Sequence, residues 1–447
     1  MSRAMKDSGY PWIGEIPLNW EIRRLRFLGE VSGGMANKKP EDFGHGTPFI
    51  SYKNVYKNMT IRDDYGDCVE ATKSDLVKYS VNYGDTLFTG SSETVDELGL
   101  SSTCINEIEN ATFNGFCMRF RPYDLSESNP EFLKYFFRNH SVRTQLSAYD
   151  NSITRANLSQ SKLKDVVIIV PPRYEQSKIA GFLDEKCAEI DKVLEKTRAS
   201  VEEYKKLKQS IITQAVTKGI RGDRAMKDSG IEWIGEVPED WELIPFRHVL
   251  KERNEKNSPV KSKERLSLSI DLGITLYAEK TTNLDRFKED FEQYKLAHKG
   301  DLVMNSMNMI VGASGVSDYY GCVSPVYYTF YDELDDHVTA KYCEYIFRSK
   351  TMLRVLFSLG KGIYAIVRGD DRVNTCRLKV SKEDLKSLII PVPKVDEQRE
   401  IIDFLSRKCD SIDSVIDKKE QFIIELESYK KSLIYEYVTG KKEVSQT

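Results

Sequence analysis

The feature that most constrains the fold of this chain is that much of its sequence is written twice. Ala4–Gly9 recurs letter for letter as Ala225–Gly230, and Trp12–Glu15 recurs as Trp233–Glu236. Between positions 4–21 and 225–242, thirteen of eighteen aligned residues are identical. Self-similarity of this kind is the signature of a repeated structural unit. We therefore expect one local fold to be built twice.

A second repeated block closes each half of the chain. Leu163–Pro171 matches Leu385–Pro393, and the Glu-Gln pair at 175–176 returns at 397–398. The two middles differ much more, although each has a Gly-Asp pair, at 84–85 and 300–301. Conserved ends around divergent middles indicate one fold that carries two different surfaces. Each middle is predicted to be an α/β domain of about 150 residues, an ordinary domain size.

Short patterns within the middles predict particular elements. Alternating or continuous apolar runs predict strands, and apolar residues at helical spacing predict amphipathic helices. The predicted strands are 47–52, 165–170, 326–330 and 388–392, and the predicted helices are 130–145 and 341–357.

Each closing block is predicted to be a long helix. From Glu175 to Thr217 there is no proline and a single glycine, Gly181, and the second copy runs from about Glu397 to Thr439. Prolines precede both segments and a glycine follows each, as is typical of helix starts and stops. At 1.5 Å per residue each helix would be roughly 60 Å long, which favours a coiled coil or a spacer.

An apolar stripe with steps of three and four residues runs along both helices. Such spacing places one seam on one face, which predicts that the two helices pack on each other. A stripe packed against a globular domain is the alternative. The predicted packing residues are Leu183, Ile190, Leu194, Val201, Tyr204, Ile211, Leu405, Ile412, Ile416, Ile423, Leu426 and Leu433.

The direction of the two helices is predicted from the connections. Parallel helices would oblige the chain after Thr217 to return along the full helix length, whereas antiparallel helices need no return. The antiparallel arrangement also places the first opening segment close to the end of the second helix. The expected fold class is therefore α/β (α+β), with two pseudo-twofold-related domains separated by two long antiparallel coiled-coil helices.

Composition narrows the class of protein without deciding it. Hydrophobic residues make up 40% and charged residues 30% of the chain, as in folded globular proteins. The formal net charge of −3 is unlike that of a compact DNA-binding domain, which is usually basic. The eight cysteines contain no CxxC pair, and no apolar run reaches membrane-span length. A cytoplasmic protein with reduced thiols and no membrane contact is expected.

The candidate DNA-contacting residues are polar, basic and aromatic side chains that cluster near predicted strand ends. Arginine and lysine pair with guanine, asparagine pairs with adenine, and lysine also contacts phosphate. Taken singly, such clusters are more often solvated loops. In the first middle they are Lys38, Lys39, Tyr52, Lys53, Asn54, Lys57, Asn58, Thr154, Arg155 and Asn157, and in the second Arg253, Lys256, Asn305, Asn308, Lys361, Tyr364, Arg368 and Arg372.

Catalytic motifs are missing from the sequence. There is no GxxxxGK[ST] phosphate-binding loop and no Asn-Pro-Pro-Tyr-like tetrad of an amino-methyltransferase. The five histidines show no metal-ligand spacing. We therefore expect no catalytic residue, no metal site and no cofactor in this chain.

Taken in order, these motifs resemble the specificity subunit of type I restriction–modification systems over essentially the whole chain. The resemblance rests on the twin Trp-Ile-Gly-Glu-x-Pro-x-x-Trp openings, at 12–20 and 233–241. It also rests on the twin Pro-x-x-x-Glu-Gln helix starts and the repeated Phe-Leu-x-x-Lys-Cys-x-x-Ile-Asp. The domains expected from it are 1–172, with target recognition domain 1; 173–220, a conserved helix; 221–393, with target recognition domain 2; and 394–447, a second conserved helix.

The resemblance implies a non-enzymatic subunit that reads a bipartite target in double-stranded DNA, with the helices acting as a ruler for the gap. It also implies two methyltransferase (modification) subunits and restriction/translocase subunits as partners, which would carry S-adenosylmethionine, ATP and Mg²⁺. A duplicated coiled-coil scaffold that binds only proteins is the alternative from another class. A modification-only complex without a nuclease is a second alternative within DNA binding.

Overall fold

The computed structural model describes residues 3–36, 38–62, 64, 66–147, 156–270, 272–280, 290–333, 337–363 and 377–444. The chain divides into two compact units. Unit 1 comprises Met1–Thr197 with Gln421–Thr447, and unit 2 comprises Arg198–Glu420. The four domains expected from the resemblance follow the sequence repeat rather than these units, and they stay a prediction.

Two long helices are shared between the units, and each helix contributes about half of its length to each unit. They are α6 (Arg173–Lys218) and α11 (Val395–Val438), within two residues of the predicted bounds at both ends. The prediction of two long helices is confirmed.

The helices run antiparallel within each unit. In unit 1 the rings of Phe182 and Tyr437 lie 4.4 Å apart, and Lys430 Nζ lies 2.6 Å from Asp191. In unit 2 Lys208 Nζ lies 2.5 Å from Asp413. Residue numbers rise along α6 as those of their partners fall along α11, which confirms the predicted direction.

The predicted seam lies mostly inside the two units. The side chains of Leu183, Ile190, Leu194, Val201, Leu405, Ile412, Ile416 and Leu433 are buried, and those of Tyr204, Ile211, Ile423 and Leu426 are partly buried. Near the end of α6 the fully packed residue is Ile212 rather than Ile211. A straight helix drifts relative to a strict seven-residue repeat, so the buried position shifts by one residue near the helix end.

Unit 1 is built of short strands and helices around the first half of α6. The strands are β1 (Met5–Asp7), β2 (Glu15–Pro17), β3 (Glu21–Arg24), β4 (Gly29–Gly33), β5 (Phe43–Ile50), β6 (Thr60–Ile61), β7 (Cys68–Val69), β8 (Thr86–Thr89), β9 (Ser91–Ser92), β10 (Ser101–Cys104), β11 (Thr112–Phe113), β12 (Cys117–Pro122), β13 (Ala156–Asn157) and β14 (Val167–Val170). The shorter helices are α1 (Tyr52–Lys57), α2 (Lys73–Lys78), α3 (Pro130–Phe136), α4 (His140–Ser147) and α5 (Gln160–Asp165).

Unit 2 is likewise built of short strands and helices, around the first half of α11. Its strands are β15 (Met226–Asp228), β16 (Glu236–Pro238), β17 (Glu242–Pro245), β18 (Lys251–Glu252), β19 (Leu266–Ser269), β20 (Gly273–Leu276), β21 (Lys295–Ala297), β22 (Leu302–Asn305), β23 (Ser314–Val316), β24 (Gly321–Val323), β25 (Tyr327–Tyr331), β26 (Lys361–Ile363), β27 (Arg377–Lys379) and β28 (Ile389–Val392). Its shorter helices are α7 (Tyr277–Lys280), α8 (Val338–Arg348), α9 (Lys350–Leu359) and α10 (Lys382–Ser387).

The central sheets of the two units share one strand order. Unit 1 has β4-β12-β8-β10, extended by β6, and unit 2 has β18-β25-β22-β23. In both sheets the first three neighbouring pairs are antiparallel. The sequence-based prediction of a mixed fold built twice is confirmed.

Each predicted amphipathic helix is two helices, so the prediction of continuous helices was wrong. In unit 1 the break falls between α3 and α4, where the Asn139 side chain accepts the Ser141 amide at 2.7 Å. In unit 2 it falls between α8 and α9, where the hydroxyl oxygen of Ser349 accepts the Met352 amide at 3.4 Å. Asparagine and serine favour caps because their side chains replace missing backbone acceptors. The predicted first strand also ends at Ile50, and Tyr52 begins α1.

The repeated openings fold as matching β-hairpins. β1 pairs with β2 and β15 pairs with β16, in the same register. The Asp7 carboxylate accepts the Gly9 amide at 2.9 Å, and the Asp228 carboxylate accepts the Gly230 amide at 3.0 Å. Gly9 and Gly230 have φ of 75° and 66°, a region that favours glycine. The identical Asp-Ser-Gly therefore encodes the identical turn.

A buried tryptophan fastens each opening to the start of a long helix. Trp20 donates to Glu175 at 3.0 Å in unit 1, and Trp241 donates to Glu397 at 3.2 Å in unit 2. An arginine, Arg3 or Arg224, also pairs with the glutamate. We call each set a Trp-Glu clamp: Arg3, Asn19, Trp20 and Glu175 in unit 1, and Arg224, Asp240, Trp241 and Glu397 in unit 2.

The unit 1 clamp also adjoins the end of α11. Lys441 Nζ donates to the carbonyl oxygen of Ile13 at 3.1 Å, and a Cβ on Gly440 would lie 2.9 Å from Trp20. The first opening thus lies against the end of the second long helix, as the connection argument predicted. Burial would raise the pKa of Glu175, but hydrogen bonds from Arg3, Asn19 and Trp20 outweigh it and hold that pKa below 4.5.

Candidate nucleic-acid interface

The central sheet of each unit holds a buried ion pair at the matching Gly-Asp turn. Asp85, almost fully buried, accepts from Arg121 Nη2 at 2.6 Å, and Asp301 accepts from Arg253 Nε at 2.7 Å. Hydrogen bonding to Asp85 raises the pKa of Arg121. Burial raises the pKa of Asp301, and the bond from Arg253 opposes that shift only in part. These ion pairs hold the starts of β8 and β22, the strands that run to the candidate DNA-contacting residues.

In unit 1 the chain leaving β8 lies beside several predicted residues. The carbonyl oxygen of Gly90 accepts the Leu158 amide at 2.8 Å, and Ser91 in β9 lies opposite Asn157 in β13. Tyr52 Oη donates to the Ser91 carbonyl oxygen at 2.6 Å. We call Tyr52, Lys53, Ser91 and Asn157 the strand-end site of unit 1. The structure therefore brings together residues from three segments that are distant in sequence.

In unit 2 the chain leaving β22 has the corresponding surroundings. The carbonyl oxygen of Ser306 accepts the Val380 amide at 3.0 Å, as Gly90 accepts that of Leu158 in unit 1. Asn305 accepts the Met307 amide through its side chain at 3.1 Å, and Asn308 is exposed. Lys361 and Lys379 lie opposite each other in β26 and β27. We call Asn305, Asn308, Lys361 and Lys379 the strand-end site of unit 2.

Three other predicted residues are held by contacts within the fold. Asn54 is buried and donates to Asp67 at 3.1 Å. Lys38 Nζ lies 3.1 Å from Asp75 and is largely shielded from solvent. Arg253 pairs with Asp301 and stacks over the Tyr331 ring at 4.4 Å. These contacts suit roles in positioning the backbone rather than in touching a base.

The remaining predicted residues are spread over the two units. Lys39, Lys57 and Lys256 are exposed, and the Asn58 side chain donates to the Asn54 carbonyl oxygen at 2.8 Å. Thr154, Arg155, Tyr364, Arg368 and Arg372 lie outside the described residues. In the sequence, Thr154 and Arg155 directly precede β13, and the other three lie between β26 and β27.

Sequence reasoning missed Ser91 and Lys379, although the sequence held a signal for Lys379. Ser159-x-x-x-Leu163-Lys164 recurs as Ser381-x-x-x-Leu385-Lys386. Both serines cap short helices, accepting the Lys162 and Asp384 amides at 3.2 and 3.1 Å. The strand just before that motif therefore occupies the same place in both units. The strand paired with it is set by long-range register, which local patterns do not specify.

The chain is similar to known proteins over part or nearly all of its length. A protein-family model described as the type I restriction modification DNA specificity domain matches residues 17–203. A putative type I restriction enzyme specificity subunit, MjaX, from Methanocaldococcus jannaschii is 24% identical over 448 residues. That match covers 96% of this chain and 95% of the relative. Residues 17–203 therefore match the type I specificity domain, and the chain over almost its whole length is similar to a type I specificity subunit.

A further relative and a solved structure are also similar to this chain. The EcoKI specificity subunit of Escherichia coli is 25% identical over 211 residues, which cover 46% of this chain and 44% of the relative. In fold, a chain from a structure of a type I R-M system in its assembly and conformational transition aligns with TM-score 0.66. It is 14% identical, and the alignment covers 96% of this chain and 99% of that one.

A solved HsdS subunit has a similar fold at a lower TM-score. The HsdS subunit from Thermoanaerobacter tengcongensis aligns with TM-score 0.51 at 14% identity, over 97% of this chain and 99% of that one. Among the described residues no three His, Cys, Asp or Glu side chains form a group able to hold a metal ion. None of the helices in the described ranges is both long and apolar enough to cross a membrane.

Proposed function

We propose that this specificity subunit reads a bipartite target in double-stranded DNA, with one half-site for each unit. The observation that carries the proposal is that one strand order is built twice and bears different side chains at the same point. Tyr52 and Asn157 stand at the unit 1 strand end, and Asn308 and Lys361 stand at that of unit 2. Repetition of the frame with divergence of the site is what reading two different sequences requires.

The side chains at the strand-end sites have the chemistry for such reading. An asparagine amide offers one donor and one acceptor, which match the major-groove edge of adenine. Lysine pairs with guanine or with a phosphate. We assign base contacts to Asn157 and Asn308, and phosphate contacts to Lys53 and Lys361. Both asparagines are exposed, and the Lys361 side chain is 80% exposed despite an ion pair with Asp384 at 3.4 Å.

The repeated openings support a partnership with two copies of one protein. The two hairpins and the two Trp-Glu clamps present nearly identical structures, and equal surfaces fit equal partners. We propose that these partners are two modification subunits, and that restriction/translocase subunits join them. In this proposal the partners carry S-adenosylmethionine, ATP and Mg²⁺, and the chain itself catalyses nothing. The complex would act in the cytoplasm, where it meets chromosomal DNA.

The direct test maps N6-methyladenine across the genome of the source strain, with and without the gene for this chain. We expect one split motif with a fixed gap to lose methylation on both strands in the deletion strain. Restoring the gene on a plasmid should restore that motif. If no methylated motif depends on the gene while the modification subunit is expressed, the hypothesis of a scaffold that binds only proteins is favoured.

A second test assigns the half-sites to the units. Asn157→Ala and Asn308→Ala are compared in the complex with the modification subunit, on duplexes that vary one half of the motif at a time. Each variant should relax discrimination at one half-site only, by roughly 5- to 100-fold, the usual effect of one lost base contact. Lys192→Ala, which removes an exposed lysine of α6, is the control. Equal loss at both half-sites in either variant contradicts the assignment.

A further inference from the structure

An exposed aromatic ring stands immediately before β12, an inner strand of the central sheet of unit 1. Phe116 precedes β12 and is 68% exposed. Leaving a phenyl ring in water forgoes the burial free energy that most phenylalanines gain, about 1.5–3 kcal/mol. A single exposed apolar residue needs no explanation by itself. For Phe116, however, the backbone that carries the ring and the residues beside it indicate that the exposure has a role.

The backbone around Phe116 is held on both sides. Its amide donates to the Asn114 side chain at 2.7 Å, and its carbonyl oxygen accepts the Gly90 amide at 2.8 Å. The turn also packs on Gly34, where a Cβ would lie 2.1 Å from the Asn114 carbonyl oxygen. The ring is therefore carried by a turn that these contacts hold in place, and the fold leaves the ring exposed.

The same contacts place Phe116 beside the strand-end site of unit 1. The Gly90 amide donates to Phe116, while the Gly90 carbonyl oxygen accepts from Leu158, the residue after Asn157. Ser91, the next residue along, accepts from Tyr52. A single residue, Gly90, therefore lies between the backbone of Phe116 and the polar residues proposed to read a half-site.

Unit 2 has an apolar residue at the corresponding point. Val326 directly precedes β25, which lies between β18 and β22 as β12 lies between β4 and β8. Val326 is 41% exposed. Both units therefore expose an apolar side chain just before the second strand of the sheet, an aromatic ring in unit 1 and a branched aliphatic group in unit 2. The polar residues of the two strand-end sites show the same pattern, with different side chains at corresponding points of the fold.

We propose that Phe116 makes the apolar base contact of unit 1, packing its ring against bases of the half-site that this unit reads. The proposal rests on the function proposed above. Aromatic side chains pack on thymine methyl groups or on base faces, and loss of such a contact weakens binding by roughly 5- to 100-fold. A phenyl ring displaces no counterion, so this contribution is independent of salt.

The test uses the complex of full-length chain and modification subunit, and a 40-base-pair duplex that carries the split motif found by methylation mapping. Phe116→Ala is compared with Tyr123→Ala. Tyr123 is 70% exposed at the other end of β12, roughly 20 Å away along the strand, so it matches Phe116 in exposure but not in position. Phe116→Leu keeps apolar area without the aromatic face and serves as a milder second variant.

We expect Phe116→Ala to raise Kd for the motif duplex by about 10-fold, with an unchanged slope of log Kd against log salt concentration. The loss should vanish on a duplex whose unit 1 half-site is scrambled, Phe116→Leu should fall between, and Tyr123→Ala should bind like the wild type. Wild-type affinity in Phe116→Ala, a changed salt slope, or failure to assemble with the modification subunit would each overturn the proposal. A wild-type complex that ignores the motif would instead overturn the proposed function.

Discussion

Units 1 and 2 are alike where they meet the long helices and differ at the two strand-end sites. Both contain a Trp-Glu clamp, a matching hairpin and the same four-strand order. At the strand ends, Tyr52 and Asn157 in unit 1 give way to Asn308 and Lys361 in unit 2. The comparison shows that one strand order can be kept while the side chains at the strand-end sites differ.

The buried ion pairs show that the central sheets themselves differ between the two units. Asp85 and Asp301 occupy matching turns, but Arg121 comes from β12 and Arg253 follows β18. An unpaired carboxylate in this position would be costly, and an arginine in β12 or just after β18 removes that cost. What is maintained is the charge pairing, and the strand that supplies the arginine is free to differ.

The largest expected effect is the loss of a clamp tryptophan. Trp20 and Trp241 are fully buried, so Trp20→Ala should lower the free energy of unfolding by about 3–5 kcal/mol through cavity formation and a lost hydrogen bond. Urea denaturation measures the loss, and amide hydrogen exchange locates it. Protection should fall in unit 1 for Trp20→Ala and in unit 2 for Trp241→Ala. The reverse pattern would break the equivalence of the clamps.

The buried ion pairs give the next largest effect. Asp85→Ala should cost about 3 kcal/mol, because it leaves Arg121 partly buried without a counter-charge. Adding Arg121→Met should recover part of that loss, whereas adding Arg253→Met should not. The same scheme applies to Asp301 with the arginines exchanged. If Arg121→Met gave no recovery in the Asp85→Ala background, the pairing would not be the stabilising feature.

The Glu175 clamp should respond to pH with a definite sign. Its pKa is held below 4.5 in the folded chain, so its contribution is complete above that pH and is lost as pH falls through the lower folded value. Glu175→Gln should cost about 2 kcal/mol at pH 7, from weakened hydrogen bonds to a charged group. The variant should also flatten the decline of unfolding free energy below pH 4.5. An unchanged acid profile would contradict the pKa direction.

The smallest effect is expected for the matching helix–helix ion pairs. Asp191–Lys430 and Lys208–Asp413 are the same pair by the repeat, and their carboxylates are about half exposed. Double-mutant cycles with Ala should give about 0.5 kcal/mol for each pair, and less at high salt. The two values should agree within experimental error. A coupling well above 1 kcal/mol at one pair only would show that the seam is not equivalent in the two units.

Part of this molecule followed from the sequence by itself. The repeat predicted two copies of one fold, the unbroken helical segments predicted α6 and α11, and the connections predicted their antiparallel course. The repeated Asp-Ser-Gly turn and the apolar stripe are local patterns, and local patterns report directly on turns and helix faces.

Only the tertiary structure decided which distant residues meet. The pairing of Asp85 with Arg121, the burial of Asn54 and the meeting of Tyr52 with Ser91 depend on sheet register and on contacts between segments far apart in sequence. The breaks at Asn139 and Ser349 were equally hidden, since the apolar spacing continues through them. Periodicity describes one face of one element, whereas a site is assembled from several elements whose pairing only the packed fold determines.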